Sequence, residues 1–124
     1  MTKINKKILI AEDDKSLISA LQEKFKKEGF SVVTASDGEE GIIAAKKEKP
    51  DLLLVDIKMP KIDGITMARK AKEAGINAPI IFLTNFDDVK HISDAIEVSK
   101  SDYLIKSDWD LDQIVEKVKA KLEQ

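Results

Sequence analysis

A repeated alternation constrains this chain more than any other feature. Five times over, a short run of branched apolar residues precedes a longer stretch with apolar residues at helical spacing. The runs are Lys7–Ala11 (KILIA), Ser31–Ala35 (SVVTA), Asp51–Ile57 (DLLLVDI), Pro79–Thr84 (PIIFLT) and Asp102–Ile105 (DYLI). Each run predicts a strand, and the continuous apolar run Lys7–Ala11 predicts one buried on both faces. After the first run, Leu17, Ile18, Leu21 and Phe25 form a helical stripe that ends at Lys26, Lys27 and Gly29, ordinary stop signals. Asp37 starts a second helix, with Glu40 at capping-box spacing, and Pro50 stops it. A third helix covers Ile65 to Ala74 and closes at Gly75. A weaker one covers Asp87 to Val98, and a fifth runs from Trp109 to Leu122. Strict alternation implies a parallel sheet with right-handed crossovers. The predicted fold is α/β, a flavodoxin-like (βα)5 doubly wound sheet of five parallel strands in the order 2-1-3-4-5, with helices on both faces. No linker or low-complexity segment interrupts residues 1–124, so one domain is expected.

Composition removes several function classes. The 124 residues carry 21 Lys or Arg against 23 Asp or Glu, a net charge of -2, which argues against binding nucleic acid through phosphates. No apolar run approaches the length of a bilayer span, and the lysine-rich start lacks a signal-peptide core. A cytoplasmic protein with no membrane partner is expected. Zero cysteines exclude a disulfide scaffold, a cysteine zinc site and a thiol nucleophile. The single histidine, His91, excludes histidine-cluster metal sites and reads as a surface residue of the fourth helix.

What remains is the chemistry of the acids. In an open parallel sheet, ligands bind beyond the carboxyl ends of the strands. Glu12 and Asp13 follow the first strand, Asp56 lies near the end of the third, Thr84 ends the fourth and Lys106 follows the fifth. With strands one and three side by side, these five converge on one pocket. A single Asp after a strand is usually a loop residue or helix cap; five polar residues at one edge are a stronger signal. Clustered carboxylates repel one another and need a cation, and hard oxygens suit Mg²⁺. Glu12, Asp13 and Asp56 against Lys106 leave a charge that one divalent ion balances. A carboxylate beside Mg²⁺ can act as a nucleophile in phosphoryl transfer. Lys106 and the Thr84 hydroxyl suit the oxygens of the transferred group. Asp14 reads instead as a helix start, Asp63 and Gly64 as a turn and helix start, and Pro60 as a shaper of the loop after Asp56. Phe25, Phe30 and Phe82 read as core.

Together, ILIAEDD, LLLVDIKMPKIDG, IIFLT and DYLIK make the chain resemble the receiver domain of two-component response regulators, the CheY-like family, over nearly its whole length. The resemblance implies that Asp56 accepts a phosphoryl group from the phosphohistidine of a histidine kinase or histidine phosphotransfer domain. It implies that Asp13, Asp56 and the Lys58 backbone carbonyl ligate Mg²⁺, with Mn²⁺ as a substitute, and that Glu12 acts through bound water. Lys106 would pair with the phosphoryl group. Thr84 and Tyr103 would switch, remodelling the face of the fourth helix, fifth strand and fifth helix for an unknown output protein. A monomer or a weak phosphorylation-dependent dimer is implied. The domain would assist its own phosphorylation and dephosphorylation without being an enzyme on an outside substrate. Leu17 would stay exposed for the kinase.

The chain departs from the family at two places. Ser107 stands where a proline usually follows the lysine, and Trp109 comes one residue late, which opens both cis and trans geometries at Lys106–Ser107. Ser107 is a possible cap for the last helix. Asn85 replaces the usual small residue after Thr84, and Phe86 falls where access of hydrolytic water is controlled, so both are expected to tune the phosphorylated lifetime. The alternatives are a degenerate receiver acting as a phosphorylation-independent interaction module, a flavodoxin-like cofactor protein and a dehalogenase-type phosphatase. The acidic EDDKS loop argues against the cofactor protein. Lys58, two residues after Asp56 where that phosphatase family has a second Asp, argues against the last.

Overall fold

The computed structural model describes residues 5–85, 102–106 and 110–123. Its elements run β1 (Lys7–Ala11), α1 (Lys15–Lys27), β2 (Ser31–Ala35), α2 (Gly38–Glu48), β3 (Leu52–Asp56), α3 (Gly64–Glu73), β4 (Ile80–Thr84), β5 (Asp102–Ile105) and α4 (Leu111–Leu122). The strands form one sheet in the order β2-β1-β3-β4-β5, and every pairing is parallel. This is the predicted architecture. The helix expected over 87–98 lies outside the described residues.

Side chains alternate across a strand with period two, which divides the core into two layers. Ile8, Ile10, Leu52, Leu54, Ile81, Leu83 and Leu104 face one way and pack with Leu21 and Phe25 of α1 and Ile114, Val115 and Val118 of α4. Leu9, Ala11, Leu53, Val55, Ile80 and Phe82 face the other way and pack with Ala45 of α2 and Ile65, Met67 and Ala68 of α3. Phe25, Phe30 and Phe82 are buried as expected. Leu17 is half-buried and packs against the first layer, so it is not the open docking residue expected.

Caps set the helix ends. Asp14 accepts from the Ser16 and Leu17 N–H groups, and Asp63 from Thr66 N–H, as expected for helix starts. Asp37 accepts from Glu40 N–H at 2.8 Å, but the return bond of a capping box is missing. Glu40 instead accepts from the Ser36 hydroxyl at 3.0 Å. The last helix is capped by Asp110, not Ser107, and begins at Leu111. Asp110 wins because Gln113 stands three residues on and completes a reciprocal box, with bonds of 2.9 Å each way.

Candidate functional site: a lysine shared by buried carboxylates

Period-two alternation also builds the site. Glu12 continues the series Ile8 and Ile10, Asp56 continues Leu52 and Leu54, and Lys106 continues Leu104. All three follow core residues of the layer that faces α1 and α4. The sheet thus delivers two acids and one cation to the same side of its carboxyl edge. Lys106 Nζ lies 2.7 Å from Glu12 Oε1 and 3.2 Å from Asp56 Oδ2. Glu12 and Asp56 are both buried. Asp13, exposed, joins them: one carboxylate oxygen each from Glu12, Asp13 and Asp56 lies within 4.8 Å of the others.

The loops fix these groups. Asp14 N–H donates to Glu12 Oε2 at 3.0 Å, so the start of α1 holds one carboxylate oxygen. Lys58 N–H donates to Asp56 Oδ1 at 3.3 Å. The other Glu12 oxygen is buried and is met by the Lys106 ammonium. Behind Asp56, a Cβ on Gly64 would lie 2.1 Å from the Asp56 carbonyl oxygen, so glycine alone lets α3 begin this close to the site. An open cleft of about 460 Å³ exposes the cluster between Asp14, Lys58, Pro60 and Asn85.

The electrostatics follow from this crowding. Burial, then the negative charge of Glu12, push the Asp56 carboxyl up to about 8, while Lys106 pulls it down. Burial works against the charge on Lys106, but Glu12 and Asp56 outweigh it and leave the ammonium raised. Two buried carboxyl groups crowded together and a third, exposed one alongside form a donor set suited to a hard divalent cation.

Four of the five expected residues are brought together: Glu12, Asp13, Asp56 and Lys106. Thr84 is buried in the adjacent strand and donates its hydroxyl to the Asn85 carbonyl at 3.1 Å. It follows Phe82 in the alternation, so its strand position belongs to the opposite layer from Asp56. Asn85 is exposed and lines the cleft, as does Lys58. Tyr103 is 40% exposed on the edge strand β5. Phe86, Ser107 and Trp109, and with them the Lys106–Ser107 geometry, lie outside the described residues, as does His91. The Asp14 N–H contact went unforeseen, since a backbone donor leaves no mark in residue type.

Known proteins resemble this chain in sequence and fold. Residues 8–119 match the model of the response regulator receiver domain. Sporulation initiation phosphotransferase F of Bacillus subtilis is 33% identical over 119 residues, covering 96% of this chain and 95% of its own length. The alkaline phosphatase synthesis transcriptional regulatory protein PhoP of Bacillus subtilis is 38% identical over 103 residues, 83% of this chain and 43% of that protein. The transcriptional regulatory protein DltR of Streptococcus agalactiae is 30% identical over 95% of this chain and 52% of its own length. The chain thus spans about half the length of these two regulators. Among solved structures, a two-component response regulator from Clostridium difficile superposes with a TM-score of 0.89 at 31% identity, covering 97% of this chain and 98% of that one. A CheY-like receiver domain protein from Methanospirillum hungatei gives 0.90 at 26% identity over 97% and 95%.

Proposed function

The chain belongs to the response regulator receiver domain family, and from that premise we propose that it is a switch driven by phosphorylation of Asp56. The observation that carries this reading is the Lys106 ammonium within 3.2 Å of the Asp56 carboxylate, beside two further acids. An Asp56 oxygen attacks the phosphorus of a phosphohistidine. The P–N bond breaks, the imidazole leaves and takes up a proton, and an acyl phosphate forms on Asp56. Bound Mg²⁺, or Mn²⁺ in its place, would neutralise the acids and the phosphoryl oxygens. Asp13, Asp56 and the Lys58 backbone would hold it, with Glu12 acting through water. Lys106 then pairs with the phosphoryl group. Thr84 exchanges its bond to the Asn85 carbonyl for one to the phosphoryl oxygens. Tyr103 follows on the exposed edge strand and changes the face offered to an output protein.

The donor in this reading is a histidine kinase or histidine phosphotransfer domain, and the setting is the cytoplasm. The domain acts on no outside substrate; it assists only its own phosphorylation and hydrolysis. Among the described residues, no helix is long and apolar enough to cross a membrane. No observation favours the phosphorylation-independent alternative, since Lys106 stands within 3.2 Å of Asp56 and three carboxylates cluster within 4.8 Å of one another. The test is intact-mass measurement after incubation with a small phosphodonor and Mg²⁺. Wild type should gain one phosphoryl group and Asp56→Asn none; wild type without adduct would reject the reading.

A further inference from the structure

The loop after β3 carries Lys58, and it bends through a turn that needs outside support. Ile62 N–H donates to the Pro60 carbonyl at 2.8 Å, and Lys61 between them has φ 67°. A three-residue turn with positive φ at a lysine is strained and persists only where its surroundings hold it. One end is fastened by Gly64 N–H on the Ile57 carbonyl at 2.7 Å. The apex is met by a different element, the start of α2. A Cβ on Gly38 would lie 2.0 Å from the Ile62 carbonyl oxygen. Gly38 is absent from the positive-φ residues, so close approach rather than backbone freedom requires glycine there. Its neighbour Asp37 uses Oδ1 to cap α2 and turns Oδ2 toward Lys61 Nζ, 3.7 Å away.

We infer that Asp37 and Gly38 are positioning residues for the phosphoacceptor site. They touch none of its groups. They seat the turn at Lys61 and Ile62, and so keep Lys58 N–H on Asp56 Oδ1 and the Lys58 backbone beside the cleft. The inference rests on the reading of Glu12, Asp13 and Asp56 as a Mg²⁺ site.

Calorimetric titration of Mg²⁺ into wild type, Gly38→Ala and Gly41→Ala, each with urea unfolding, tests it. A Cβ on Gly41 would press on the flexible Met67 thioether, 2.6 Å away, and not on the loop. Gly38→Ala should weaken Mg²⁺ binding about tenfold, while Gly41→Ala keeps the wild-type Kd whatever stability it loses. Should Gly38→Ala not fold, Asp37→Asn serves: it keeps the cap oxygen, drops the charge facing Lys61, and should weaken Mg²⁺ about twofold. An unchanged Kd in the folded loop variants, or equal weakening in Gly41→Ala, overturns the positioning role and leaves the Mg²⁺ site standing. Wild type that takes up no Mg²⁺ overturns both.

Discussion

Lys106 lies 2.7 Å from Glu12, although β5 and β1 are not neighbours in the sheet. The lysine side chain reaches past the ends of β4 and β3 and meets Asp56 at 3.2 Å on the way. One cation is therefore shared by two buried carboxylates, and the stability of the metal-free chain depends on it.

Lys106→Met should cost about 3 kcal/mol at neutral pH in chelator, because it leaves the buried Glu12 carboxylate without its counter-charge. Asp56→Asn should act in the opposite direction and stabilise the chain by relieving the crowding against Glu12. Urea unfolding of the three proteins checks both signs. Equal stability of wild type and Lys106→Met would contradict the shared pairing.

The Asp56 carboxyl is raised from 3.8 to about 8 by burial first and Glu12 second. The folded chain therefore binds this proton more tightly than the unfolded chain does. Its contribution to stability is complete below about pH 4 and is lost as pH rises through about 8. Melting curves in chelator should show this decline in wild type and not in Asp56→Asn. With Mg²⁺ in excess, metal and proton compete for the same carboxyl, so Mg²⁺ binding should strengthen over that window and release protons.

Mg²⁺ should stabilise the folded chain by about 2.7 kcal/mol at a concentration a hundred times its Kd, with Mn²⁺ acting in the same direction. Asp13→Asn should remove most of this gain. Because Asp13 is exposed, the same variant should stay within about 0.5 kcal/mol of wild type in chelator. Thermal melts with and without metal separate the two effects.

Two glycines test how closely α3 supports the site. Gly64→Ala should cost about 1–3 kcal/mol and slow phosphorylation, since its Cβ would meet the Asp56 carbonyl oxygen at 2.1 Å. Gly75→Ala has open space but φ 91°, so it should cost about 1–2 kcal/mol and leave phosphorylation untouched.

Much of this was legible in the sequence because the sheet repeats with period two. Glu12, Asp56 and Lys106 each end or follow an apolar run in phase with the same core layer, so strand identification alone brought them together. Thr84 ends its run in the opposite phase, and counting runs without attention to phase did not show that its hydroxyl turns to the Asn85 carbonyl and not to the acids. The Asp110 cap was obscured because Ser107 offered a second capping oxygen; only the reciprocal bond to Gln113 decided between them. The contact of Gly38 with Ile62 had no local signal at all. It joins two loops far apart in the chain through a missing side chain, and only the packed fold shows that it is needed.

The central claim is that Asp56, and not another acid of the cluster, accepts the phosphoryl group. An acyl phosphate is reduced by borohydride to the corresponding alcohol, which marks the acceptor permanently. Phosphorylated protein treated in this way and mapped by peptide mass should carry homoserine at position 56 and unmodified Glu12 and Asp13. Reduction at Glu12 or Asp13, or at no carboxylate of the site, would contradict the account.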